Sequence, residues 1–178
     1  MKKENIPNIL TIIRFILIPF IYSSVLTKHF LLALIIFTIS ALTDVLDGYI
    51  ARKYNYITDI GKLMDPLADK LTQISLLLSL TLLKILPWWI FAIIFVKELV
   101  LVISASVLYS KKDVVVYSKW YGKLATTLFY LAIVCSLLIN QFKITITFKI
   151  DLYLYYLAIL ATFFALIMYA IKFEFKRK

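Results

Sequence analysis

The sequence predicts an all-α integral membrane protein of six transmembrane helices with both termini in the cytoplasm. Three observations carry that expectation. Of 178 residues, 63% are hydrophobic and 17% are charged, more apolar surface than a soluble domain of this size can bury. The apolar residues fall into six runs, each near the length that a helix needs to cross a bilayer. Lysines and arginines gather in the gaps between runs, and unequally on the two sides. Strands are not expected, because an open sheet edge stays unsatisfied in lipid.

The first run, Ile9–Leu26, follows a basic start, and no small-residue cleavage site comes after it. It reads as a spanning helix rather than a removed signal. The second and third, Phe30–Val45 and Leu71–Leu83, are short. They reach full length if their helices continue into the charged segment from Asp44 to Lys70. The fourth, Trp88–Leu108, opens on Trp88 and Trp89 beside Pro87, as an aromatic belt at a membrane interface would. The fifth, Leu124–Ile139, holds the lone cysteine, Cys135, so no disulfide framework or thiolate metal site is expected. The sixth, Leu152–Ile171, leads into the tail Lys172–Lys178, which suits anionic lipid headgroups. With the N-terminus inside, the cytoplasmic segments hold 14 Lys and Arg, and the opposite side holds 4: Lys28, Lys84, Lys143 and Lys149. This asymmetry places both termini and the Asp44–Lys70 segment on the cytoplasmic side of the membrane. It also accounts for the net charge of +10 without a nucleic-acid partner. No repeat or linker divides the chain, so residues 1–178 read as a single membrane domain.

Five of the seven aspartates, and two of the three glycines, lie in residues 44–69, DVLDGYIARKYNYITDIGKLMDPLAD. Asp44 and Asp47 are three apart, and Asp65 and Asp69 are four apart, so each pair shares one helical face. Four carboxylates meeting across two helices repel one another in a low dielectric, so a cation must neutralise them. Hard oxygen donors without His or Cys point to Mg²⁺ or Mn²⁺. A pair of such ions suits the clamping of a phosphoryl group. Gly48 and Gly61, with Ala51 one turn beyond Gly48, let a ligand or a facing helix approach the backbone closely. Arg52 suits a phosphate or one of the carboxylates. Pro66 either opens a helix or kinks one near the cluster.

These residues resemble the signature of the CDP-alcohol phosphatidyltransferases, D-x2-D-G-x2-A-R-x8-G-x3-D-x3-D. Asp44, Asp47, Gly48, Ala51, Arg52, Gly61, Asp65 and Asp69 match it with every spacing kept. The resemblance implies the family's six-helix fold and a metal-dependent enzyme of phospholipid biosynthesis, which is usually a homodimer. It implies that a hydroxyl attacks the β-phosphoryl of CDP-diacylglycerol and releases CMP. It further implies that Asp44, Asp47, Asp65 and Asp69 hold two divalent ions on the pyrophosphate, with Asp69 as the base. Gly48, Ala51 and Gly61 would then leave room for the nucleotide, with Asp44, Arg52 and Asp65 also in the CDP site.

The acceptor is read from other positions. Residues 5–20, NIPNILTIIRFILIPF, resemble the start of the members that form phosphatidylglycerophosphate and of those that form cardiolipin. Arg14 and Lys97 are the basic residues inside spans, where a charge is costly unless paired or functional. Arg14 suits either a motif carboxylate or a lipid phosphate. Glu98 adjoins Lys97, but neighbouring helical residues point apart, so Glu98 is not its obvious partner, and an ion pair elsewhere and a substrate role both stay open. By resemblance, Lys97 and Lys123 fit two positions of an acceptor-phosphate pocket, and Lys119 is a further candidate. Ala105 and Ala125 stand where further basic residues are usual. Glycerol 3-phosphate is the expected acceptor, with phosphatidylglycerol as the alternative. A cation transporter is a remote rival, since carriers place acids near the bilayer midplane and often carry inverted repeats.

Overall fold

A computed structural model describes residues 6–54, 56, 59–110, 120–144 and 150–175. The side chains of residues 6, 7, 52, 59, 60, 62, 63, 101–110, 121 and 169–175 lie outside that description, as does the whole of Lys119. Among the described residues all regular structure is helical. The order is α1 (Ile6–Leu26), α2 (Phe30–Tyr54), α3 (Asp59–Leu82), α4 (Trp88–Ser110), α5 (Trp120–Gln141) and α6 (Ile150–Phe175). The second and third helices do continue through the charged segment, α2 by nine residues past Val45 and α3 by twelve before Leu71. Among the described residues, α1, α2, α5 and α6 contain stretches long and apolar enough to cross a membrane. The chain is a multi-pass membrane protein.

The helices group into two compact units. One comprises α1, α2, α3 and the end of α5 from Leu137, and the other comprises α4, the rest of α5 and α6. In the first unit α1 packs against both α2 and α3. Its inward stripe is Thr11, Arg14, Ile21, Ser24 and Val25, while Ile12, Ile16 and Phe20 are exposed. The same inversion holds on α2, where Ala33, Ser40 and Asp47 are buried and Leu32, Ile35, Ile39 and Leu46 face outward. Burying polar side chains while exposing aliphatic ones is unfavourable in water and natural in lipid, where small residues let helices approach. Some buried hydroxyls are satisfied within their own helices: Ser24 Oγ donates to the Phe20 carbonyl at 2.7 Å, and Thr72 Oγ1 to that of Ala68 at 2.8 Å. Pro66 lies inside α3, with the helix running on through it.

In the second unit Tyr155, Phe129, Ile133 and Ile94 are buried. Trp89 stacks on Tyr156 with ring centroids 5.7 Å apart. Asp151 sits in the first turn of α6, where a carboxylate complements the helix dipole. It accepts a 3.1 Å hydrogen bond from Ser136 Oγ.

Candidate active site

The first unit brings the four spaced aspartates to one point. Asp44 and Asp47 come from adjacent turns of α2, and Asp65 and Asp69 from adjacent turns of α3. Between them α1 inserts Arg14, which is 1% exposed. Its Nη1 donates to Asp44 Oδ1 and, at 2.9 Å, to Asp69 Oδ1. Its Nη2 donates to Asp47 Oδ2 at 2.7 Å and to Asp65 Oδ1 at 3.1 Å. One guanidinium thus engages all four carboxylates, which its planar fork of donors suits better than a lysine ammonium would. Of the two partners that the sequence allowed Arg14, the carboxylates are the ones seen.

The carboxylates are not equivalent. The Asp47 side chain is 2% exposed, whereas those of Asp44, Asp65 and Asp69 are 41%, 39% and 45% exposed. One acid is sealed at the base of the cluster, and three open toward an incoming ligand. Among the described residues one arginine stands with four acids, a formal charge of −3. An anionic excess of that size, partly shielded from water, fits a divalent cation or a group carrying one, and the donors are the hard oxygens that Mg²⁺ or Mn²⁺ favours. Among the described residues, no group of three acids is arranged to hold a metal ion as it stands; the acids are organised on Arg14 instead.

Thr11 belongs to the site, and sequence reasoning missed it. Its hydroxyl donates to Asp65 Oδ1 at 2.6 Å. The signal was available, since Thr11 lies one turn before Arg14 on the same face of α1. Thr11→Val removes a hydrogen bond to a charged acceptor and is expected to destabilise the fold by about 1.5 kcal/mol. Thermal unfolding in detergent measures this directly, and an unchanged midpoint would show the bond to be dispensable. Gln73, one turn beyond Asp69, is also buried, and among the described residues its amide nitrogen has no hydrogen-bond partner.

Gly61 is buried, while Gly48 and Ala51 are half-buried. No described glycine has a positive φ. Gly48 and Gly61 therefore serve by the space that they leave beside a helix, not by unusual backbone. The Arg52 side chain and all of Lys119 fall outside the described residues.

The remaining candidates lie in the second unit. Lys123 is exposed on the first turn of α5, and Ala125 is buried. The expectation that Glu98 would not pair with Lys97 is corrected, because Lys97 Nζ forms an ion pair with Glu98 Oε1. The two side chains are 10% and 1% exposed. A four-carbon stem can swing its ammonium to a sequence neighbour, and in an apolar helix an unpaired charge costs more than that bend. Lys97 Nζ also lies 5.1 Å from the centre of the Phe129 ring.

Helices, buried polar stripe and acidic site together define a family. The profile of the CDP-alcohol phosphatidyltransferases matches residues 4–171, and the chain belongs to that family. Among curated proteins, it is 35% identical over 142 residues to the CDP-diacylglycerol–glycerol-3-phosphate 3-phosphatidyltransferase of Aquifex aeolicus, covering 79% of each chain. It is 34% identical over 132 residues to a probable phosphatidylglycerophosphate synthase of Mycobacterium tuberculosis, covering 70% of this chain and 62% of that protein. It is also 34% identical over 110 residues to a cardiolipin synthase (CMP-forming) of Streptomyces coelicolor, covering 58% of this chain and 51% of the other.

Proposed function

We propose that the chain transfers a phosphatidyl group from CDP-diacylglycerol to the hydroxyl of glycerol 3-phosphate, forming phosphatidylglycerophosphate and releasing CMP. The observation that carries this reading is the convergence of Asp44, Asp47, Asp65 and Asp69 on one point, three of them partly open. The acceptor oxygen attacks the β-phosphorus of the donor, and the bond from that phosphorus to the oxygen of CMP breaks. Asp69 takes the hydroxyl proton, as a carboxylate within reach of the acceptor would. Asp47, sealed beside Arg14, holds the base of the cluster, while Asp44 and Asp65 face the pyrophosphate. Two divalent ions, Mg²⁺ or Mn²⁺, would be held by these four residues and would supply positive charge to the pyrophosphate and the departing CMP. Gly48, Ala51 and Gly61 leave room for the nucleotide, and Arg52 is assigned to the CDP site by its place in the motif.

The excess of Lys and Arg on one side of the spans supports an acidic site facing the cytoplasm of a bacterial inner membrane. A homodimer is the family's usual state and is part of the proposal. Cardiolipin formation from phosphatidylglycerol is the second reading. It is favoured by the uncharged, buried Ala125 and by the similarity to the Streptomyces cardiolipin synthase. Phosphatidylglycerol carries a singly charged diester and needs fewer cations than a phosphomonoester does.

The deciding experiment offers the purified protein labelled CDP-diacylglycerol and Mn²⁺ with glycerol 3-phosphate, phosphatidylglycerol, serine or inositol phosphate in turn. Turnover with glycerol 3-phosphate alone supports the first reading, and turnover with phosphatidylglycerol alone replaces it. Lys123→Ala is expected to raise KM for glycerol 3-phosphate about tenfold with kcat little changed, the loss of one partly exposed ion pair of about 1.4 kcal/mol. An unaltered kcat/KM would remove Lys123 from the acceptor pocket.

A further inference from the structure

Three helices of the chain end alike. Lys28, Lys84 and Lys143 each stand two residues past the last residue of α1, α3 and α5, and each has a positive φ, of 62°, 60° and 49°. The following residue closes the same cap every time. His29 N–H donates to the Ser24 carbonyl at 2.9 Å, Ile85 N–H to Leu80 at 3.0 Å, and Ile144 N–H to Ile139 at 3.0 Å. Such caps usually take glycine or asparagine, because a β-carbon is disfavoured in the left-handed region. A lysine at all three, against that preference, implies that its charge is used. These are three of the four basic residues on that side of the spans.

The same end of the first unit is hollow. A cavity of about 430 Å³ is lined by Lys28, Lys143, Asn140 and Gln141, with Leu83 and Ile85 on either side of Lys84. A second hollow of about 380 Å³ shares Lys28 and Gln141 and is otherwise flanked by His29 and the aliphatic Leu31, Leu32 and Ile35. Among the described residues no carboxylate lines either. Gln141 is oriented by its Oε1, which accepts the Leu31 N–H at 2.9 Å. Lys84 lies 15 residues beyond Asp69, about 22 Å along α3, so this place is remote from the acidic cluster.

We propose that this end of the first unit is a binding site for an anionic membrane phospholipid. The phosphodiester is held in the cavity between Lys28 and Lys143, and an acyl chain lies along the neighbouring hollow against Leu32 and Ile35. The lipid, rather than free phosphate, is favoured because the cationic cavity and the aliphatic one share two residues. A lysine charge serving merely to complement the helix termini would need no adjoining apolar hollow.

The test uses the full chain purified in neutral detergent and titrated with micelles containing phosphatidylserine, which is neither the proposed donor nor the proposed acceptor. The double variant K28N/K143N removes two charges, while asparagine keeps both caps. Wild type is expected to unfold at a higher temperature with phosphatidylserine than with phosphatidylcholine. The asparagine variant should need at least tenfold more phosphatidylserine for the same rise, yet match wild type in phosphatidylcholine. K28R/K143R should retain the wild-type response. An undiminished response in the asparagine variant would overturn the proposal. So would an equal loss in both lipids, or full protection by inorganic phosphate.

Discussion

Asp69→Asn is expected to reduce CMP release by about 10²–10⁴-fold, the range that a positioned general base contributes. Asparagine is nearly isosteric with aspartate and keeps an oxygen where Asp69 Oδ1 accepts from Arg14 at 2.9 Å. The side chain is 45% exposed, so neither packing nor desolvation penalises the change. The variant should therefore unfold close to wild type while losing turnover. Asp69 also belongs to the proposed metal set, so activity alone does not isolate its role as base. Titrating activity with Mn²⁺ does: loss of the base lowers kcat at saturating Mn²⁺, whereas loss of a ligand shifts the midpoint and is overcome by more metal. Turnover near wild type at any Mn²⁺ concentration would sink the assignment. Asp47→Ala should behave in the opposite sense in that titration, since Asp47 is sealed at the base of the cluster and reaches Arg14 at 2.7 Å.

Arg14→Gln is expected to destabilise the protein by about 3 kcal/mol, the lower end of the cost of breaking a buried ion pair from one side. The lower end applies because three of the four partners are about two-fifths exposed and keep some solvent. The change makes the cluster's formal charge more negative, from −3 to −4, and among the described residues no other cation contacts all four acids. Millimolar Mg²⁺ should then recover more stability in the variant than in wild type, because binding to the folded state stabilises it in proportion to affinity. Thermal unfolding with and without Mg²⁺ makes the measurement. A variant as stable as wild type without metal would mean that the convergence on Arg14 contributes nothing to the fold.

Much of the site was legible because helical geometry is local. The three- and four-residue spacings put Asp44 with Asp47 and Asp65 with Asp69 before any fold was known. The shortness of two apolar runs required α2 and α3 to carry those acids beyond the greasy segment, and both helices do so. Arg14 was legible as a charge that needed a reason, but its reach to both pairs was not. That depended on α1 lying against α2 and α3 together, a long-range fact which no spacing within one helix encodes. Thr11 was hidden for the same reason, because threonine in an apolar helix usually bonds its own backbone and here reaches α3 instead. Lys97 was misjudged because a rule about Cβ directions was applied to a side chain long enough to evade it.

The sequence by itself determined helices, membrane residence and the pairing of carboxylates within each helix, since these follow from hydrophobicity and a period of 3.6 residues. Tertiary structure alone decided that the two pairs meet, that Asp47 is sealed while its three companions stay open, and that three lysine-capped helix ends gather around a cavity at the far end of the same unit. Those outcomes depend on which helices touch, and in lipid that choice is made by close packing and buried polar contacts rather than by hydrophobicity, which most residues here share.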